Sequence, residues 1–128
     1  MKHASGELPT KVYQGLLLFN QLFFYEAHEY FEDAWRETED ESREFFRVLL
    51  QMSGGFYRLT QARPQAARKF FNHALSWLSD FPNPYRGFNT NLLKNMLQEL
   101  IEAVDDGQKS NTILENHFQA LYPENEGA

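Results

Sequence analysis

The residues best suited to chemistry lie in one short segment, FFYEAHEYFEDAWR, from Phe23 to Arg36. This segment contains His28, followed by Glu29 and, four positions after the histidine, Glu32. On a helix with about 100° of rotation per residue, Glu32 lies one turn beyond His28 on nearly the same face. An imidazole and a carboxylate at this spacing can share a metal ion, hydrogen-bond to each other, or bind a polar ligand.

A metal-dependent hydrolase is one interpretation, because the segment is one residue away from the helical zinc motif HExxH. In that interpretation His28 and Glu32 are metal ligands and Glu29 is the general base. A third ligand would have to come from elsewhere, and the spacing does not choose among His3, His73 and His117. We therefore keep this hydrolase as the alternative function, predict no resident metal or cofactor, and leave open whether the protein is an enzyme.

A structural or binding role is favoured, because the histidine lies at the edge of an apolar arc formed by Phe24, Ala27, Phe31, Ala34 and Trp35. A polar group at such a boundary needs a partner, since a buried unpaired one costs about 1–3 kcal/mol. Trp35 and Gln51 are interpreted as a core indole and its polar neighbour. The candidate polar site comprises Glu26, His28, Glu29, Glu32, Trp35, Gln51 and Arg58.

As a binding module, the protein would use the acidic edge of this helix and the basic third and fourth predicted helices. Together they would line a cleft for a small polar ligand or a partner protein. A homodimer is an open alternative.

The formal net charge of −6 argues against nucleic acid as a partner, because phosphate binding needs a basic surface. No apolar run approaches the ~20 residues that span a bilayer. The polar start predicts a cytoplasmic location without membrane association.

Helices must position these side chains, because apolar residues recur at helical spacing and no segment alternates like a strand. The first predicted helix runs from about Pro9 to Asn20, which could end it in the left-handed conformation. The second begins at Phe23 or Phe24 and ends at Arg36. A continuous helix through both is the competing prediction.

The third predicted helix spans about Glu41 to Gln61, and the adjacent Gly54 and Gly55 within it indicate a close crossing with another helix. A short connection to a fourth helix, Pro64 to Ser79, makes these two antiparallel neighbours. The aromatic loop from Phe81 to Phe88 is predicted to cover an end of the bundle, and a lid over the cleft is the alternative. A fifth helix begins near Thr90 and stops at Asp105 to Gly107, and a last helix or turn follows.

The predicted fold is all-α, a single compact bundle of five or six helices. With 128 residues and no cysteine, one domain without disulfides is expected. We predict a flexible N-terminal arm at 1–8, the helical bundle domain at 9–122 and a flexible C-terminal tail at 123–128.

The stretch FNQLFFYEAHEYFEDAW, from Phe19 to Trp35, resembles the signature of the small bacterial and archaeal proteins grouped as domain of unknown function 309. The matching positions are Phe19, Asn20, Glu26, Ala27, His28, Glu29, Glu32 and Trp35, and a weaker similarity includes Gln51, Phe56, Tyr57 and Leu59. The resemblance implies a compact helical bundle and no established activity. Leu22 stands where the family often has a small residue, and Arg58 where a histidine is expected.

Overall fold

The computed structural model describes residues 7–124 and shows six α-helices. They are α1 (Thr10–Asn20), α2 (Phe24–Glu37), α3 (Arg43–Thr60), α4 (Pro64–Leu78), α5 (Thr90–Asp105) and α6 (Ser110–His117). No strand occurs within 7–124, so the predicted all-α bundle is confirmed. Residues 1–6 and 125–128, which include His3 and most of the predicted arm and tail, lie outside the described part. Leu8, at the end of the predicted arm, is buried.

The third helix, α3, is the centre of the bundle. It packs against α2, α4 and α6, while α1 packs on α2 and α5 on α4. Its apolar positions form a broad arc, and eleven of its residues are buried, from Phe45 to Leu59. A helix with such a wide apolar arc must be contacted from several sides. The two helices with the most contacts to α3, α2 and α4, therefore flank it.

An aromatic cluster joins four helices at the core. The ring of Phe56 on α3 lies 5.5 Å from Phe19, 5.1 Å from Phe24, 5.2 Å from Phe71 and 5.5 Å from Phe118, measured between ring centroids. Edge-to-face and offset aromatic pairs at such distances stabilise a core beyond the area they bury. Phe56 thus ties α3 to α1, α2, α4 and the segment after α6.

The two glycines of α3 allow the predicted close crossing with α4. A Cβ at Gly54 would lie 2.9 Å from the Phe70 ring, and a Cβ at Gly55 would overlap the Phe71 ring. The missing side chains let α4 bring both phenylalanines against the α3 backbone. The prediction of a close antiparallel crossing between these helices is confirmed.

The predicted break between α1 and α2 is confirmed, and the competing prediction of a continuous helix is wrong. The break depends on Leu22. Leu22 has a φ of 70°, and the N–H groups of Leu22 and Phe23 donate to the carbonyl groups of Phe19 and Leu18. This is a Schellman motif, which places its left-handed residue just after the helix. The prediction that Asn20 takes this conformation is also wrong, because Asn20 is the last residue of α1.

Asn20 instead holds the C-terminal segment. Its Oδ1 accepts from the Leu121 N–H at 2.8 Å, and its Nδ2 donates to the Leu121 carbonyl at 3.0 Å. Leu121 is buried. The side chain therefore fixes a segment 101 positions away in sequence, which no local pattern predicts.

Replacing Leu22 with glycine is expected to raise the free energy of unfolding by up to about 1 kcal/mol. A side chain in the left-handed conformation costs roughly 1–2 kcal/mol, and glycine avoids this cost. Leu22 is 47% exposed, so little burial is lost with its side chain. Thermal and urea unfolding would measure the change. The control is Leu22→Ala, which removes the side-chain atoms beyond the Cβ and keeps the Cβ itself; an equal gain from alanine would contradict this explanation.

Candidate functional site

A small pocket lies where α2, α3 and α4 meet. Its volume is about 80 Å³, and its lining residues are Tyr25 and His28 from α2, Gly54, Tyr57 and Arg58 from α3, and Phe70 from α4. The absence of a side chain at Gly54 contributes to this space, because a Cβ there would contact Phe70. The glycine that permits the helix crossing therefore also opens the pocket.

Aromatic rings form most of the pocket wall. The ring of Tyr25 lies 5.2 Å from the ring of Tyr57 and 6.0 Å from the imidazole of His28. Tyr25 is half exposed. Aromatic walls with a few polar groups are typical of sites that bind small molecules or side chains.

His28 is half buried, at the core edge where the sequence places it. Its Nδ1 is buried and has no hydrogen-bond partner among the described residues. An unpaired buried nitrogen costs about 1–3 kcal/mol, and most such atoms in native proteins are paired. A ligand that hydrogen-bonds to this nitrogen would recover that free energy.

Arg58 supplies a positive charge at the same pocket. Its Cζ lies 5.6 Å from the Tyr57 ring centroid and 5.7 Å from the Phe70 ring centroid. Its Nη1 donates to Gln61 Oε1 at 2.7 Å. A guanidinium carries five N–H donors, so this bond leaves donors for an anionic group.

The acidic residues of the predicted site are placed differently. Glu32 pairs with Arg36 on its own helix, with Nη2 and Oε2 3.1 Å apart, and not with His28. Glu26 and Glu29 are exposed and do not line the pocket. The structure therefore brings His28 together with Arg58, and not with the neighbouring carboxylates.

Trp35 and Gln51 do not form the predicted indole–amide pair. The Trp35 Nε1 is buried and has no acceptor among the described residues. Its ring faces arginines instead: the Cζ atoms of Arg43 and Arg47 lie 4.7 Å and 5.8 Å from the ring centroid. Arg43 Nε also donates to the Trp35 carbonyl at 2.9 Å. Gln51 is half buried, between these arginines and Gly54 along α3.

These residues share one side of the bundle, which we call the α3 face. Helical spacing forms three rows of side chains on this face. The row on α2 contains Tyr25, His28, Glu32 and Trp35, and the row on α3 contains Arg58, Gly54, Gln51 and Arg47. The row on α4 contains Phe70, His73 and Trp77. Contacts at both ends of the face show that these rows lie side by side. Gly54 meets Phe70 at one end. At the other end, the Arg47 Cζ lies 3.8 Å from the Trp77 ring centroid and 5.8 Å from that of Trp35.

The alternative of a metal-dependent hydrolase is not favoured. Across residues 7–124, no three His, Asp or Glu side chains form a group that could hold a metal ion. His73 is exposed and stacks on Trp77. His117 Nδ1 lies 3.4 Å from Glu99 Oε1 on α5. Of the proposed third ligands, only His3 lies outside the described residues.

A second, larger concavity of about 1030 Å³ opens beside the start of α1 and the end of α2. It is lined by Lys11, by the acidic residues Glu37, Glu39, Asp40 and Glu41, and by Pro9, Thr10, Ala34 and Thr38. Lys11 Nζ lies 2.6 Å from Glu37 and 3.4 Å from Asp33, and their carboxylates raise the pKa of its amine. Lys11 is therefore already paired with two carboxylates, whereas no partner within residues 7–124 pairs with the buried Nδ1 of His28.

Sequence analysis missed several residues of the α3 face, namely Tyr25, Gly54, Tyr57 and Phe70 at the pocket and Arg43, Arg47 and Trp77 beyond it. Some signals were present. A glycine pair within a helix indicates close approach of another element, and two arginines four positions apart share a helix face. Their pairing with α2 and α4 depends on tertiary packing.

Comparison with known proteins supports the resemblance noted in the sequence. The family described as Domain of unknown function (DUF309) matches residues 12–70. An "Uncharacterized protein" of Aquifex aeolicus (strain VF5) is 26% identical over 85 residues, which are 66% of this chain and 26% of the relative. The chain therefore spans about a quarter of the length of the curated relative it matches.

All six pocket residues fall inside the family match. The helices described here include none that is both long and apolar enough to cross a membrane. The predicted resemblance is confirmed: over residues 12–70 this helical protein matches DUF309, a family whose description assigns no activity.

Proposed function

We propose that the protein is a binding module and that the pocket between α2, α3 and α4 receives a carboxylate group. The observation that carries this proposal is the buried Nδ1 of His28, which has no hydrogen-bond partner within residues 7–124 and lies in a pocket shared with Arg58. A histidine Nδ1 that carries its proton can donate one hydrogen bond to a carboxylate, while the guanidinium donates another. The pocket thus offers donors to an anion and no carboxylate of its own.

A cation is a poorer occupant, although aromatic walls often bind cations. The Arg58 guanidinium already lies over the Tyr57 and Phe70 rings, within 6 Å of both centroids. A second positive charge there would be repelled at close range. The aromatic rings instead suit the apolar carbons attached to a carboxylate.

The size of the pocket limits the bound group to a few heavy atoms. A volume of about 80 Å³ compares with roughly 30 Å³ for one water in the liquid. A short carboxylic acid or the end of an acidic side chain fits this volume. We infer that binding takes place in the cytoplasm, which suits a chain without cysteine.

Acetate and propionate are suitable probes, with NMR titration of the His28 imidazole signals as the measurement. We expect a saturable shift of His28, and at least a tenfold weaker affinity for Arg58→Gln, because that variant removes the charge at the pocket. The matched control is Arg68→Gln. Arg68 lies on α4, outside the pocket, and pairs with Asp105 on α5 at 2.7 Å.

Three outcomes would contradict the proposal. One is an acetate affinity that Arg58→Gln leaves unchanged. Another is an equal loss in Arg68→Gln, which would indicate a general effect of charge. The third is tighter binding of methylammonium than of acetate, which would show that the aromatic walls select a cation. Folding of each variant is checked by its melting temperature.

A further inference from the structure

We propose that the natural ligand is an acidic, extended segment of a partner protein that lies along the α3 face. Its carboxylates would contact Arg58 and His28 at one end and Arg43 and Arg47 at the other. This inference rests on the proposed carboxylate pocket and names the partner class. It adds contacts with Arg43 and Arg47, which a free small acid bound in the pocket would not reach.

The charges of the α3 face favour an acidic partner. By helical spacing four arginines lie along it, Arg36, Arg43, Arg47 and Arg58, against the three carboxylates of Glu29, Glu32 and Glu44. Glu32 is engaged by Arg36. Glu44 pairs with both Arg43 and Arg47, at 3.5 Å and 3.3 Å. The face is therefore locally positive on a chain whose formal net charge is −6. Complementary charge of this kind steers a partner and sets its orientation.

Arg47 is held ready for a carboxylate by two indole rings. Its Cζ lies 3.8 Å from the Trp77 ring centroid on α4 and 5.8 Å from the Trp35 ring centroid on α2. Stacking orients the planar guanidinium while leaving its edge donors for hydrogen bonds. The ion pair with Glu44 is half exposed, and exposed pairs of this kind contribute little. An incoming carboxylate can therefore compete for the guanidinium.

The spacing of the arginines requires an elongated ligand. Arg58 and Arg47 are eleven positions apart on α3, which is about 16 Å at the 1.5 Å rise of an α-helix, and Arg43 is about 6 Å further. An extended chain advances roughly 3.3 Å per residue, so seven or eight residues span the three arginines.

Two other occupants are conceivable for this face. Stacked arginine and tryptophan side chains also occur in proteins that bind single-stranded nucleic acid. Here each indole already lies against an arginine, Trp77 against Arg47 and Trp35 against Arg43, and the chain as a whole is acidic. The acidic residues Glu37, Glu39, Asp40 and Glu41 of a second copy are the other candidate. The test below distinguishes nucleic acid and a second copy of this chain from an acidic peptide.

The test uses a fluorescein-labelled peptide of eight glutamates, with fluorescence anisotropy as the measurement. We expect saturable binding that weakens as salt is added, and no binding of a matched peptide of eight glutamines. Arg47→Gln should weaken binding at least tenfold, and the control Arg68→Gln less than twofold. The chain has only two tryptophans, Trp35 and Trp77, so intrinsic fluorescence of the unmodified protein should also change when the peptide covers them.

The outcomes distinguish this inference from the proposed pocket. If acetate shifts the His28 signals but the glutamate peptide binds no more tightly than acetate, the inference fails and the pocket stands. Equal binding by Arg47→Gln also overturns the inference. So does tighter binding of an eight-nucleotide oligothymidine, or a stable dimer in light scattering that Arg47→Gln dissociates. If neither acetate nor the peptide binds, the proposed function itself fails.

Discussion

Replacing Phe56 with alanine is expected to lower the free energy of unfolding by about 3–5 kcal/mol. Such losses are typical when a buried phenylalanine is truncated and the cavity cannot collapse. Phe56 is fully buried and its ring contacts those of Phe19, Phe24, Phe71 and Phe118. The substitution removes four aromatic contacts at once. Urea unfolding followed by far-UV circular dichroism would measure the loss.

Phe23→Ala is the matched control, because it removes the same ring from a residue that is 49% exposed. We expect a loss below about 1 kcal/mol there, as is usual for exposed positions. Similar losses for the two variants would show that the aromatic cluster does not hold the helices together. Should the Phe56→Ala variant fail to fold, Phe56→Leu gives a smaller measurable loss at the same position.

Replacing Gly55 with alanine is expected to destabilise the protein by up to about 2 kcal/mol, despite the higher helix propensity of alanine. Alanine gains roughly 1 kcal/mol within a helix. At this position, however, the added Cβ would overlap the Phe71 ring, which is fully buried and packed on Phe56. Forced movement in a packed core typically costs about 1–3 kcal/mol, and sometimes more. Thermal unfolding and urea unfolding would both report the change.

The neighbouring Gly54→Ala variant is the control for this explanation. Its added Cβ would lie 2.9 Å from the Phe70 ring, but Phe70 is only half buried and can turn outward. We expect a clearly smaller loss of stability. A greater loss at Gly54 than at Gly55 would contradict the view that the buried ring of Phe71 decides the cost.

The α3 face explains why one segment of α2 combines polar and aromatic residues. His28 and Trp35 are seven positions apart, two turns of the same helix row. Each carries a buried nitrogen that finds no partner in the part of the chain that the structure describes, and each lies beside an arginine from α3. Polar groups left unpaired at such a boundary are often parts of a binding surface, since architecture alone would pair them.

The positions of the helices could be predicted from the sequence, because hydrophobic periodicity and proline and glycine placement act locally. Pro64 begins α4, as predicted, because proline suits the first helical turn. The glycine pair of α3 likewise predicted the close crossing. The end of α1 at Asn20 was predicted. The left-handed residue was placed two positions too early, because a Schellman motif usually carries glycine there, and here it carries Leu22.

By itself, then, the sequence determined an all-α bundle, a helix that carries His28 at its core edge, and the family resemblance. Only the tertiary structure decided which groups meet. His28 lies with Arg58, thirty positions later, and not with Glu32 one turn away. Arg47 lies between Trp35 and Trp77, which no periodic pattern links. Local periodicity tells which face of a helix is buried, whereas the pairing of faces follows from how glycines and large rings let α2, α3 and α4 pack.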